Sequence, residues 1–434
     1  MSEGVKSGDD WYYFDNNRWI KSNGLWCQIS NELVNKYSFL EVEDEVKSQI
    51  NKLTHELKTV GFKSSLIKEC TYMFNSSDPD FSKKLDENAS LMCFKNGVLD
   101  LSNGVSFRNG KPRDYITLST GYDYTKYDPS DQNTKDVLDY LEKVFVDKPV
   151  REYVLKTLAS CLLGGSDEHF HIWTGLGSNA KSKTIELIEK TLGDYASKIP
   201  ISLLTNKRAA SGNASPEVIR TRGRRFVSMQ EPENDETLKV GLLKELTGRD
   251  KIVARELYKN SVEFMPQFKM FLCCNDLPPI PADDYGTWRR VRVVEFKSKF
   301  TDSPREGNKY EFEKDHSLHL KMENWKSSFM SILVEYYKKV LSEGIKEPEE
   351  VLKYTNKYKN ENDTIEVFIE SELLETTYEN SIPSSELWET YTTWCKQSNI
   401  KNLTKLQFNK KLNKKFPKGA YFRTKDDDFK LDEN

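Results

Sequence analysis

The sequence predicts an α/β protein: a P-loop parallel sheet with flanking helices, preceded by an α+β domain and followed by a helical region and a winged-helix-like domain. Three observations carry that expectation. From about Glu168 to Phe300, short apolar runs alternate with helical patterns, as in a parallel sheet covered on both faces. One run opens into "GLGSNAKSKT", a loop of small residues followed by a lysine and an amphipathic helix. Two more, within "RFVSMQEPE" and "FKMFLCCND", end in polar residues, and sheets of this kind present ligand chemistry at their strand ends.

With 434 residues the chain exceeds what one core holds, roughly 250–300 residues, so two to four packed units are expected. Its 37% hydrophobic and 31% charged residues are those of a soluble globular protein. No run approaches the roughly 18 apolar residues of a membrane span, and "MSEGVKSGDDWYYFD" lacks the apolar centre of a secretion signal. An intracellular protein without a membrane segment is expected. The seven cysteines form no Cys-x-x-Cys pair and are read as reduced and packed. His169 and His171 alternate along an extended run, and His316 and His319 lie one helical turn apart. No further ligand type clusters beside either pair, so no metal site is expected at them. A net charge of −3 excludes a wholly basic nucleic-acid coat, although "RTRGRRF" and "KLQFNKKLNKKFPKG" are locally cationic.

The elements follow in order. "DWYYFDNNRWIKSNGLW" predicts a hairpin turning at Asn-Asn, and helix follows from about Ser38 to Leu57. "CFKNGVLDLSNGVSFRNGKPRDY" carries three Asn-Gly pairs between short apolar runs, the pattern of small β structure with tight turns. From about Asn133 two helices are expected, with Asp147 as cap and Pro149 in the first turn of the second. This places an α+β domain at 1–165, the P-loop core at 166–300, and a helical lid and linker at 301–362, with "YTNKYKNENDT" as the linker. A winged-helix-like domain fills 363–434, ending in a hairpin at "GAYFRTKDDDFKL".

In the loop, Gly175, Gly177, Ser178, Asn179, Ala180, Lys181, Ser182 and Lys183 form a cradle. Backbone N–H groups and the positive helix end face phosphate oxygens, Lys181 adds charge, and Ser182 reaches a metal ion. Glu231 and Glu233 follow the second run; one carboxylate suits the shell of Mg²⁺ and the other the orientation of an attacking water. Asn275 ends the third run and can fix that water or touch a γ-phosphate. Arg289 and Arg290 precede a fourth strand, and arginine forks suit phosphate oxygens, including those of a neighbouring subunit. "KIVAREL" and "VEFMPQF" flank "YKNS" as a hairpin with Lys259 at its tip. Lys251, Arg255 and Lys259 there are either a grip on a nucleic-acid backbone or ordinary solvated cations.

Together, "GLGSNAKSKT", "RFVSMQEPE", "LTGRDKIVAREL", "FKMFLCCNDLPPIP" and "WRRVRVVEF" resemble the superfamily 3 helicases of the poxvirus-type primase–helicase group, in the versions found in large DNA viruses. Similarity extends more weakly to "CFKNGVLDL" and "DYITLSTGYDY". The resemblance implies a AAA+-like hexameric ring ATPase that uses ATP and Mg²⁺ to unwind duplex DNA and engage single-stranded DNA. Its setting would be the replication compartment of an infected cell, with a separate primase or replication factors as partners. It implies that Lys181 and Ser182 are the phosphate-loop pair, Glu231 and Glu233 the metal and water carboxylates, and Asn275 a sensor. Arg289 or Arg290 would be a finger acting in trans, and the Lys259 hairpin would line a central channel.

Two departures stand out. The roughly 165 residues before the core leave little room for the family's primase module, so a helicase without primase activity is expected. Ala180 replaces a glycine; its Cβ would crowd the phosphates, or cost about 1–2 kcal/mol if the residue sits left-handed. Weakened ATP affinity is expected, and a non-hydrolysing DNA-binding ring or assembly platform is the alternative. In the C-terminal helices, Phe408, Leu412 and Phe416 share one face. Lys410, Lys411 and Lys414 lie away from it, placed for DNA phosphates or for a protein partner.

Overall fold

The computed structural model describes residues 4–7, 10–22, 25–74, 78, 80–206, 214–231, 236–257, 260–280, 285–398, 400, 402–417 and 419–425. The chain opens with an antiparallel sheet, β1 (Gly4–Ser7), β2 (Asp10–Asp15) and β3 (Arg18–Ser22). β2 and β3 form the expected hairpin, with Asn16 at a φ of 53° in the turn. Helices α1 (Leu25–Ser38), α2 (Asp44–Leu57) and α3 (Val60–Met73) follow, and the short α4 (Phe81–Lys84). Helix thus starts earlier and runs later than its sequence pattern indicates. A second antiparallel sheet holds β4 (Leu91–Phe94), β5 (Gly97–Asp100) and β6 (Ser106–Arg108), where the Asn-Gly pairs predict it.

Helix α5 (Gln132–Val144) is capped by Asp131, whose carboxylate accepts the Thr134 N–H at 2.8 Å. α6 (Lys148–Ser160) starts after Asp147 and carries a proline in its first turn. Asp147 occupies the expected cap position, but its carboxylate makes no capping bond and accepts instead from Lys297 at 2.9 Å and the Tyr310 hydroxyl at 3.2 Å.

The core then alternates strand and helix: β7 (Phe170–Thr174), α7 (Lys181–Leu192), β8 (Ala196–Lys198), α8 (Ser202–Thr205), α9 (Pro216–Ile219), β9 (Phe226–Met229) and α10 (Val240–Leu246). A ribbon, β10 (Ile252–Arg255) with β11 (Ser261–Phe264), precedes β12 (Lys269–Cys273), α11 (Tyr285–Trp288) and β13 (Val291–Glu295). Five strands pair in parallel in the order β13-β7-β12-β9-β8. Both faces are covered, which is why the strands read as continuous apolar runs. Phe170, Ile172, Val227, Met229, Met270, Leu272, Val291 and Val293 pack on one face with α10 and the ribbon. Trp173, Phe226, Phe271 and Val294 pack on the other with residues of α5, α6 and α7.

Beyond the sheet, β14 (Lys299–Thr301) pairs with β15 (Glu311–Glu313), and the long α12 (Leu318–Glu343) crosses α5, α6 and α7. α13 (Glu349–Glu361) overturns the linker reading of "YTNKYKNENDT", most of which is helix. Its inward stripe is narrow: Val351, Thr355 and Tyr358 are buried, the Thr355 hydroxyl accepts the Val293 N–H at 3.0 Å, and the Tyr358 hydroxyl donates to the Pro278 carbonyl. The chain ends in α14 (Thr364–Glu372), β16 (Leu373–Glu375), α15 (Ser384–Gln397), α16 (Lys405–Lys415) and β17 (Phe422–Thr424) around Phe368, Tyr391, Trp394 and Phe408. The described half of the expected terminal hairpin, β17, pairs with β16 instead; residues from 426 on lie outside the described residues. The six described cysteines are free thiols. Among the described residues no helix is long and apolar enough to cross a membrane.

Candidate nucleotide site

The cationic run "RTRGRRF" proves partly internal. Arg225, 1% exposed, donates to the carbonyls of Asn88 and Leu91 and to the Gln267 side chain, while Arg222 donates to the carbonyls of Ser82, Lys83 and Leu85. These bonds fasten the N-terminal region to the start of β9 and so fix where that strand delivers its last residue.

The loop from β7 to α7 is shaped by backbone geometry. At Gly175, φ is 139° and a Cβ would lie 2.6 Å from the Phe296 carbonyl oxygen, so only glycine fits. Asn179, buried, accepts the Lys181 N–H at 3.3 Å and donates to the Phe296 carbonyl at 3.4 Å. The Phe300 N–H donates to the Ser178 carbonyl at 2.7 Å. Gly177 meets nothing that would exclude a side chain. Ser178 and Ala180 both sit left-handed, at φ 62° and 65°.

Lys181, only 6% exposed, is the centre of the site. Its ammonium donates to the Gly175 carbonyl and, at 2.9 Å, to Asn275 Oδ1. Asn275 in turn donates its backbone N–H to Glu231 Oε1 at 2.9 Å and its Nδ2 to Oε2 at 3.1 Å. Residues following three adjacent strands, β7, β12 and β9, therefore form one hydrogen-bonded chain. Burial pushes the Lys181 pKa down, against the raising influence of Cys273, Cys274, Glu231 and Asp276. Both direct partners of the ammonium are neutral, and no carboxylate among the described residues pairs with it. Its nearby acids, Glu231 and Asp276, do not touch it, and an anionic ligand in the cavity would supply a direct charged partner.

A cavity of about 490 Å³ opens here, lined by Lys181, Ser182, Glu189, Lys198, Ser228, Glu231, Cys273 and Asn275 among others. Sequence reasoning missed several of these. The Ser228 hydroxyl donates to Glu189 at 2.6 Å, and the Thr174 hydroxyl donates to the Asn275 carbonyl at 2.8 Å. Ser228 and Glu189 lie on β9 and α7, in segments already singled out, but their roles depend on which face of each element looks inward. The cavity's oxygen donors, the Ser182 hydroxyl and the Glu231 carboxylate, suit a hard cation such as Mg²⁺.

A second cavity of about 420 Å³ lies on the other side of the loop, between α5, α12 and the segment after β15. Ser178, Ala180 and Lys183 form its loop wall, facing Tyr140, Phe300 and Trp325. Ala180 also packs against the apolar core and does not line the cavity of Lys181. The left-handed backbone that the sequence reading allowed for Ala180 is what the structure shows, at φ 65°.

Glu233 and Lys259 lie outside the described residues. Lys251 is exposed beside the β10–β11 ribbon, and Arg255 is half-buried at its far end. Arg289 and Arg290 are not brought to the Lys181 cavity. Val291 pairs with Phe170 at the start of β7, so these arginines lie at the opposite end of the strands from the phosphate loop that follows Thr174. Arg289 pairs with Glu168 at 2.9 Å, and Arg290 donates to the Gly286 carbonyl at 2.6 Å. On α16, Lys410 and Lys414 are exposed and Lys411 half-buried, opposite a buried Phe408.

The chain matches the family profile described as "D5 N terminal like" over residues 4–146, and that described as "Poxvirus D5 protein-like" over residues 346–434. A protein of Acanthamoeba polyphaga mimivirus named as a candidate helicase is 38% identical over 91% of this chain and 44% of its own length. A candidate helicase of Frog virus 3 is 28% identical over 82% of this chain and 43% of its own, and a candidate primase of African swine fever virus is 28% identical over 81% and 38%. The chain thus spans less than half the length of each of these relatives. Among solved structures, the apo C-terminal region of NrS-1 is similar at 12% identity and a TM-score of 0.44, over 83% of this chain and 75% of that one.

Proposed function

The chain belongs to the poxvirus D5-like primase–helicase family, and from that premise we propose that it is the ATP-hydrolysing motor of a replicative DNA helicase. The observation that carries this reading is the Lys181–Asn275–Glu231 chain, with its buried ammonium held only by neutral acceptors.

In this reading the α7 N-terminus and Lys181 bind phosphate oxygens, Lys181 exchanging its neutral partners for the anion. Ser182 and Glu231 would hold Mg²⁺, which when bound offsets phosphate charge. Asn275 orients the attacking water, fixed in place by its two bonds to Glu231 and by Thr174. The second cavity takes the nucleobase, against Phe300 and Tyr140. Arg289, exposed at the opposite end of the strands from the loop, serves the site of a neighbouring subunit in a ring, for which a hexamer is the family's form. The β10–β11 ribbon and the α16 lysines contact DNA phosphates.

DNA-stimulated ATP hydrolysis by the purified chain, beside Lys181→Ala, tests the proposal: turnover should fall on the order of 100-fold or more, and equal turnover in both would remove it. A second reading, a DNA-binding platform that does not hydrolyse ATP, draws on the left-handed Ala180. It requires the parent chain to bind DNA without turnover.

A further inference from the structure

Asp167, His169 and His171 bring a carboxylate oxygen and two ring nitrogens within 4.8 Å of one another. Asp167 Oδ2 lies 3.1 Å from His171 Nε2 and 3.7 Å from His169 Nδ1. These separations bracket the about 3.3 Å between donors around a tetrahedral ion with bonds of roughly 2.0–2.1 Å. We propose that the three side chains bind a divalent transition metal of the zinc class, at a site separate from the nucleotide and at the other end of the same strand.

His169 and His171 alternate on one side as the chain enters β7, and the left-handed bend at Glu168 precedes them, with Asp167 beside both rings. His171 is buried, its ring stacked on Phe271 at 4.7 Å between centroids, so its orientation is set before any ion arrives. The other carboxylate oxygen of Asp167 accepts the His169 N–H at 2.9 Å, leaving Oδ2 toward the imidazoles. Glu168, at a φ of 61°, is not part of the cluster and holds Arg289 instead. Side-chain exposures of 21% for Asp167 and 28% for His169 leave a path from solvent and room for a water as fourth ligand.

Two cations stand nearby, each with other partners. Lys269 donates to the carbonyls of Ser160 and Gly165, and Arg292 pairs with Glu347 at 2.8 Å. Two imidazoles with one carboxylate favour zinc-class ions over Mg²⁺, which takes oxygen ligands. The sequence reading found no further ligand type beside His169 and His171; the fold places Asp167 there.

The competing account is a metal-free Asp–His hydrogen bond, and metal binding separates the two without reference to ATP hydrolysis. The full chain, stripped with a chelator, is titrated with Zn²⁺ against a chromophoric chelator and with Co²⁺ by visible absorption. One ion per chain is expected, undisturbed by excess Mg²⁺. His169→Ala, at a partly exposed position, and the near-isosteric Asp167→Asn should each lower affinity roughly tenfold or more while the circular dichroism spectrum stays unchanged. His316→Ala should not. Absence of stoichiometric binding, or unaltered binding by a folded His169→Ala, overturns the proposal.

Discussion

Lys181 donates to Asn275 Oδ1 at 2.9 Å, joining the residue that opens α7 to the residue that follows β12. Because Asn275 also donates to both oxygens of Glu231, it is the only described bridge between the cation and the acid. Asn275→Ala breaks that bridge while leaving Lys181 able to meet phosphate. Nucleotide affinity should change less than threefold, and the rate of hydrolysis should fall by on the order of 100-fold. Fluorescent-nucleotide binding and steady-state turnover, measured on one preparation, check the split; loss of binding equal to loss of rate would contradict it.

Ala180 is left-handed at φ 65°, costing about 1–2 kcal/mol relative to glycine, and it lines the second cavity. Ala180→Gly should raise the melting temperature of the nucleotide-free chain by releasing that strain and lower the Michaelis constant for ATP by less than about threefold. A large fall in that constant would show that the methyl does obstruct the ligand.

Which features the sequence disclosed depends on how far apart the partners are. β7, β9 and β12 were legible because each is buried on both faces and carries a dense apolar run, β13 because its valines alternate with polar residues, and the polar residues just beyond the first three were legible as strand ends. α13 was not. It buries only Val351, Thr355 and Tyr358 in thirteen residues, a stripe too thin to outweigh its polar composition. The pairing of β17 with β16 joins segments some fifty residues apart, and no local pattern encodes it.

Arg289 and the phosphate loop lie at opposite ends of two neighbouring strands, so the role proposed for the arginine requires a second subunit. Arg289→Ala and Lys181→Ala should each abolish most turnover, and mixing the two should restore part of it by assembling sites with an intact lysine from one chain and an intact arginine from another. Turnover of the mixture across molar ratios is the measurement. A mixture no more active than its parts would place Arg289 outside the reaction. Arg290→Ala should lose less, because that guanidinium is half-buried against its own turn at the Gly286 carbonyl whereas Arg289 is exposed.

Cys273 reports the state of the cavity through its protonation. It ends β12 beside Lys181, and burial pushes its thiol up to about 11, with Lys181 acting in the opposite direction. Only the thiolate is alkylated, so at pH 8 a fraction of roughly 0.1% reacts, rising about tenfold per pH unit until the thiol titrates. Iodoacetamide labelling of Cys273, followed by peptide mass spectrometry, should accordingly be slow at pH 8 and accelerate steeply to pH 10. Removing the cation with Lys181→Ala should slow it further at every pH, because the charge that favours the thiolate is gone. Bound nucleotide should protect Cys273 by filling the cavity and by drawing Lys181 away. Labelling at pH 8 that is as fast as for a free thiol, or unaffected by both the substitution and the nucleotide, would mean that Cys273 does not face this site.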